Sequence, residues 1–228
     1  MSYMQNTPLL HHFPLSAASR FIRLQLAEYE YDFELINHVP WQRDESFLLL
    51  NPAGSLPVFQ YNENSVICGA RAISEWVEES RVDAKLLFGS SVQRAEIRRL
   101  LEWFEDKFYY EVGLPLLHER VIKRFQNGSG ASSEIIRKAL SNAQVHLGYV
   151  NWLAEQNSWL AGGNLSLADF AAAAQISVLD YFGDIQWERY PMAASWYMKL
   201  KSRPCFRSLL ADQLTGVTPA AHYADLDF

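Results

Sequence analysis

The run Leu56-Pro57-Val58-Phe59-Gln60-Tyr61-Asn62-Glu63-Asn64-Ser65-Val66-Ile67-Cys68 decides how the first third of the chain is built. Two short apolar runs, 57–61 and 65–68, flank the polar Asn62-Glu63-Asn64, a pattern that predicts a β-hairpin. Pro57 heads the first strand, where its missing N–H confines it to an edge or a special turn. Only about 5–6% of X-Pro bonds are cis, so the tripeptide alone does not fix the isomer. Working backwards, Pro8 to Phe13 reads as a strand, Ser19 to Tyr29 as a helix and Tyr31 to Val39 as a second strand. A short helical segment, Glu45 to Leu50, follows the loop Pro40-Trp41-Gln42-Arg43-Asp44. Working forwards, a helix is expected from about Ala70 to Glu79. The order β-α-β-α-β-β-α describes an α/β unit.

From Val92 onward the periodicity is helical, interrupted by Gly113, Pro115, the segment 126–132, Gly162-Gly163 and Pro191. A bend is expected near Gly113 to Pro115, and a second long helix should run from Ser133 to about Glu155. In Leu165-Ser166-Leu167-Ala168-Asp169-Phe170, Ser166 can cap the third helical N–H while the Asp169 carboxylate reaches back to Ser166. Such a cap stabilises a helix by about 1 kcal/mol. Pro219 stops any helix, so an extended tail is expected, in which apolar and aromatic side chains interleave with Asp225 and Asp227. The expected division is an α/β part over 1–83, an all-helical part over 84–213 and a tail over 214–228.

The chain has 228 residues and a formal charge of -6, from 20 Lys plus Arg against 26 Asp plus Glu. That balance disfavours a grip on phosphate backbones, so no nucleic-acid partner is expected. Two cysteines, Cys68 and Cys205, are too few for a disulfide framework and suit a reducing compartment. With no signal peptide and no membrane span read from the sequence, a cytoplasmic protein is expected. His11 and His12 are adjacent on a strand and point to opposite faces, so they cannot share a metal, and no metal site is expected. Cys68 reads as a buried small hydrophobe. Arg94, Arg98 and Arg99 follow helical spacing and read as a solvated face or a dimer rim. Arg120, Lys123 and Arg124 read as a solvated face or as a contact for an acidic partner.

Several of these pieces carry a resemblance together: Pro14-x-Ser16-x-x-Ser19-Arg20, Asn51-Pro52-x-Gly54-x-x-Pro57-Val58, Arg71-Ala72-Ile73, and Trp159-Leu160-Ala161-Gly162 leading to Ser166-x-x-Asp169. With Tyr190-Pro191 through Trp196 to Arg203-Pro204, the chain resembles the glutathione S-transferase superfamily over nearly its whole length. The resemblance implies a thioredoxin-like N-terminal domain with a cis-Pro57, an all-helical C-terminal domain and a homodimer.

Ser16 matches the serine that activates the glutathione thiol in the family's serine classes. Lowering a thiol pKa from about 8.5 to about 6.5 takes roughly 2.7 kcal/mol of preference for the thiolate, which a hydroxyl and a helix N-terminus can largely provide. The pocket speaks against this use. Where the family has Glu-Ser for the γ-glutamyl end, this chain has Gly69 and Ala70, and a frequent Lys or Arg for the glycyl end is Ser55. Hydrogen bonds to charged groups contribute about 1.5–3 kcal/mol each, so their loss weakens glutathione binding by large factors. The backbone contact from Leu56, before Pro57, survives.

Within the superfamily, the missing anchors and the tail resemble a non-catalytic bacterial branch that binds filaments of FtsZ, the tubulin-like division polymer. Two readings follow from the resemblance. In the first, the chain is an interaction module that binds FtsZ, is recruited to the division site and regulates constriction, with no cofactor. Its partner residues are then Trp41, His222, Tyr223, Asp225, Asp227 and Phe228. In the second, it is a transferase that conjugates glutathione to an electrophile, with Ser16 holding the thiolate.

Overall fold

The structure is a computed structural model and describes residues 7–42, 44–128 and 130–226. Four strands form one sheet in the order β2-β1-β3-β4, where β1 is Leu9–His12, β2 Glu34–Asn37, β3 Val58–Asn62 and β4 Ser65–Cys68. β1 runs parallel to β2 and antiparallel to β3, with Leu10 set between Leu35 and Phe59. The hairpin falls where the sequence puts it, with Val58 opposite Cys68 and a register shift between Gln60 and Asn62. β2 is shorter than expected because it pairs only along the four residues that β1 offers.

Helices α1 (Ala17–Glu28) and α3 (Ala70–Ser80) cover one sheet face and bury Phe21, Leu24, Ile73 and Val77 against Leu10 and Phe59. The short α2 (Glu45–Leu50) places Phe47 against the His11 and His38 rings. His11 Nδ1 lies 2.8 Å from His38 Nε2, while Arg23 and Arg20 are within electrostatic reach of His12. Burial, reinforced by Arg23, holds the His12 pKa down at about 3. The Leu56–Pro57 peptide bond is cis.

A capping box of Ser90 and Gln93 opens α4 (Ser91–Glu102). The chain then continues through a π-wound stretch (Trp103–Gly113), α5 (Leu114–Leu117), a π turn (His118–Ile122) and α6 (Lys123–Asn127). At the expected bend, Gly113 keeps ordinary right-handed angles, φ −61° and ψ −54°. The helix accommodates Pro115 by wider winding on either side instead of breaking. Helices α7 (Ser133–Gln156), α8 (Leu167–Phe182), α9 (Pro191–Lys201) and α10 (Arg207–Leu210) complete the helical part. α8 is buried on all sides, and its run Ala171 to Ala174 lets α1 and α4 approach closely. Its start is fixed by Asp169, whose Oδ2 accepts from Ser166 N and Oγ, both at 2.9 Å, and whose Oδ1 accepts from Leu160 N at 2.8 Å and Trp196 Nε1 at 2.9 Å. One apolar core runs from Leu10 and Phe59 in the sheet to Ala172 and Leu179 in α8. No helix among the described residues is long and apolar enough to cross a membrane.

Candidate functional site

A cleft of about 350 Å³ opens between the two halves. It brings together Ser16, Leu56, Arg71, Glu105, Asp106, Tyr109 and Gln175 from five parts of the chain. Ser16 caps α1 and accepts from Ser19 N at 3.3 Å, which leaves its hydroxyl hydrogen to donate outward. Ser16 and Leu56, both singled out in the sequence, line this cleft together. Gly69 and Ala70 lie just beyond, at the start of α3, and Gly69 has φ 90° and offers no side-chain cap. A Cβ on Gly69 would meet nothing within 4 Å, so the place of the family's first anchor is open space. Ser55 is turned toward its own loop, its carbonyl accepting from Asn51 Nδ2 at 2.8 Å.

Arg71 spans the mouth of the cleft. Its Nη2 lies 3.2 Å from Asp106 Oδ2 and its Nε 3.7 Å from Glu105 Oε2. Burial dominates at Glu105 and pushes its carboxyl up to about 7, with Asp106 adding to the rise and Arg71 opposing it. Glu105 and Asp106 give no site signal in the sequence, because Arg71, more than thirty positions away, meets them only in the fold.

Trp41 stacks on Phe125 with centroids 5.5 Å apart and planes 3° apart, and meets Phe13 edge-on at 5.7 Å. It therefore bridges the α/β part to α6 and is half-buried by that contact.

The tail corrects the expectation of an extended segment. It folds back in turns against α8: Ala220 N donates to Tyr181 O at 2.8 Å, and Tyr181 Oη donates to Val217 O at 2.7 Å. Tyr223 is 1% exposed, so it is not a surface for a partner. Its hydroxyl donates to Leu209 O at 2.9 Å and accepts from Arg20 Nη1 at 3.0 Å. Arg20 is itself fully buried, donating also to Pro14 O at 2.6 Å, Ser177 Oγ at 2.8 Å and Asp212 Oδ2 at 3.2 Å. Asp212 takes a second donor from Arg23 at 2.8 Å. Burying two guanidiniums requires this degree of saturation. His222 is half-exposed, its Nε2 3.3 Å from Asp180 Oδ1, and Asp225 is exposed. Asp227 and Phe228 lie outside the described residues.

Cys68 is exposed rather than buried. On β4 the side chains alternate, and Ile67 takes the inward position against the core, so its neighbour must face out. The basic residues are engaged within the chain: Arg98 with Glu75 at 3.1 Å, Arg99 with Glu96 at 2.7 Å, Arg120 with Asp184 at 2.6 Å and Lys123 with Glu119 at 3.1 Å. Arg94 donates to Gly89 O, and Arg124 to Gly216 O.

Residues 10–84 match the model of the glutathione S-transferase N-terminal domain. FtsZ-localized protein A of Caulobacter vibrioides is 48% identical over 222 residues, which is 96% of this chain and 97% of that protein. The solved structure of FzlA from C. crescentus superposes with a TM-score of 0.94 at 47% identity, covering 98% of this chain and 100% of that one. A crystal structure described as a glutathione S-transferase, from Sinorhizobium meliloti 1021, superposes with a TM-score of 0.92 at 49% identity over 98% of this chain and 100% of that one. Likeness of this extent in sequence and in backbone leaves one assignment: the chain belongs to the glutathione S-transferase family, in the branch that contains FtsZ-localized protein A.

Proposed function

We propose that this chain is a glutathione-transferase-fold interaction module that associates with FtsZ filaments and regulates bacterial constriction. The observation that carries the reading is the 48% identity to FtsZ-localized protein A across almost the full length of both chains. The cleft supports it. Gly69 and Ala70 supply no side-chain hydrogen bond where glutathione's charged end would sit, and Arg71 is already engaged by Asp106. Glutathione carries two carboxylates, and the Asp106 carboxylate in the lining opposes them. In this reading the module consists of parts 1–83, 84–213 and 214–228, works as a homodimer in the cytoplasm and is recruited to the division site. Its polymer contact uses Asp225 and the residues after it together with the outer edge of Trp41, while Tyr223 fixes the tail from within.

The transferase reading rests on one arrangement, Ser16 at the N-terminus of α1 beside the cis Leu56–Pro57 step. Calorimetric titration with glutathione separates the two. The interaction module gives no heat and no thermal stabilisation up to about 1 mM, the concentration that corresponds to roughly -4.1 kcal/mol. It instead bundles or bends GTP-assembled FtsZ in electron micrographs, an effect that Asp225→Lys reduces. Binding at or below about 1 mM with unaltered filaments would overturn the proposal.

A further inference from the structure

Helix α2 is fastened to the sheet by little. Of its six residues only Phe47 is buried, and its ring lies on two imidazoles, with centroids 4.3 Å from His38 and 5.9 Å from His11. We propose that His11 and His38 form a pH-sensitive latch that docks α2 while both rings are neutral and releases it on acidification. The inference concerns α2 and its neighbours and holds whether or not FtsZ is the partner.

Three observations converge on it. The first is the geometry of the pair. His11 Nδ1 lies 2.8 Å from His38 Nε2. Two ring nitrogens at that distance share one proton, so one ring donates and the other accepts. With both rings charged, two N–H donors would point at each other, and the bond is lost.

The second is the difference in surroundings. His11 is 6% exposed, and its Nε2 is inaccessible and without a hydrogen-bond partner among the described residues, so a charge on this ring is poorly compensated. His38 is half-buried and lines an open cavity of about 380 Å³ with Asp44, Phe47 and Leu48, where it can take up a proton from solvent. Its backbone is pinned, since His38 N donates to His12 O at 2.8 Å, so the ring is the part that moves.

The third is a second resting place for the charged ring. Asp44, the exposed N-cap of α2, acts on His38 as a counter-charge. Bonds from the Ser46 N–H and hydroxyl hold the Asp44 carboxyl below its usual range, so it stays ionised. A protonated His38 exchanges His11 for Asp44, and Phe47 loses the ring it rests on. Release of α2 then loosens both segments it joins, the turn carrying Trp41 and the stretch that leads to Leu56.

The groups around the pair set the direction of the pH dependence. Burial lowers His11, His38 lowers it further and Gln60 on β3 offsets part of this, while burial lowers His38 against Asp44. His12, adjacent on β1, is held at about 3 by burial and by Arg23, His38 and Arg20, so it carries no charge in this range. Cys68 on β4 donates to Leu50 O at 3.7 Å, and burial raises its thiol, which keeps its proton. Both latch imidazoles are thus lowered from the ordinary value of about 6.5. Docking is therefore fully present above about pH 6.5 and is lost as pH falls below it.

Proton NMR and amide exchange of the full chain between pH 5 and 8 test the proposal. Expected are coupled titrations of His11 and His38 below about pH 6.5, because the two sites share a proton. Over the same range the protection of the Leu48 and Asn51 amides, corrected for intrinsic rates, should fall by up to about tenfold per pH unit, since opening takes up a proton. Amides of α8 should keep their protection, which separates undocking from unfolding. His38→Gln can still bond His11 but cannot titrate, and should leave α2 equally protected at pH 5.5 and 7.5. Asp44→Asn keeps a capping side chain and removes the counter-charge, so release should move to lower pH. Wild-type protection that does not change between pH 7.5 and 5.5, a His38→Gln profile as steep as the wild type, or an unshifted midpoint in Asp44→Asn would overturn the proposal.

Discussion

Replacing Tyr223 by Phe tests whether the tail is built into the fold. The ring stays, with its edge-on contact to Tyr181 at 5.1 Å, and only the hydroxyl is removed. Two hydrogen bonds go with it, one donated to Leu209 O at 2.9 Å and one accepted from Arg20 at 3.0 Å. The first is one of several bonds to Leu209 O, which keeps Asp212 N at 3.1 Å, and contributes about 1 kcal/mol, and the second involves a buried cation, about 1.5–3 kcal/mol. Arg20 keeps Pro14 O, Ser177 and Asp212, so it is not left uncompensated and the larger cost of a stranded charge is avoided. The expected loss is about 3 kcal/mol, and for a domain of this size each kcal/mol lowers Tm by about 2–4 °C. Tm should therefore fall by about 6–12 °C, and limited proteolysis should reach the bonds between Val217 and Asp225 before the body is cut. A shift under about 1 °C with an equally protected tail would refute the reasoning, because it would mean that the hydroxyl contributes nothing to holding the segment.

Other consequences are read with the same instruments. Trp41→Ala removes the stack on Phe125 and the contact with Phe13, and should cost about 2–3 kcal/mol in urea unfolding, with Trp41→Phe recovering part of it. Ser16→Ala removes the α1 cap and should cost about 1 kcal/mol while leaving polymer binding unchanged. Glu105 gives a pH signature. Its folded pKa of about 7 stands above the ordinary 4.5, so the folded state holds a proton that the unfolded state has released. Stability therefore falls as pH rises from 4.5 to about 7, by up to about 3 kcal/mol, and Glu105→Gln should flatten that slope and raise Tm at pH 8. A steeper slope in the variant would contradict the assignment.

What was legible in the sequence was local. Asn62-Glu63-Asn64 announces its hairpin, Glu45 to Leu50 its helix, and Ser166 with Asp169 its cap, because each is decided within a few residues. Ser16 beside Leu56 was legible through the family pattern. The polar lock of Arg20, Tyr223 and Asp212 was not, since its members stand about two hundred positions apart and nothing in Ser19-Arg20-Phe21 distinguishes a buried arginine from a solvated one. In the sequence Tyr223 therefore reads as a partner-facing group, whereas in the fold it is 1% exposed. Gly113 suggested a bend on composition, but a Cβ there would come within 2.8 Å of Gln175 Oε1, so the glycine serves close approach to α8. Glu105 and Asp106 look like ordinary polar positions of a helix until α3 brings Arg71 across.

The central claim is association with the division polymer, and co-sedimentation measures it most directly. The chain is spun with FtsZ assembled in GTP, and in parallel with FtsZ held unassembled in GDP. The account predicts that the wild-type chain enters the pellet with filaments only, and that Asp225→Lys weakens this about tenfold while its unfolding curve stays superimposable on the wild type. A wild-type chain that remains in the supernatant with assembled filaments would contradict the account.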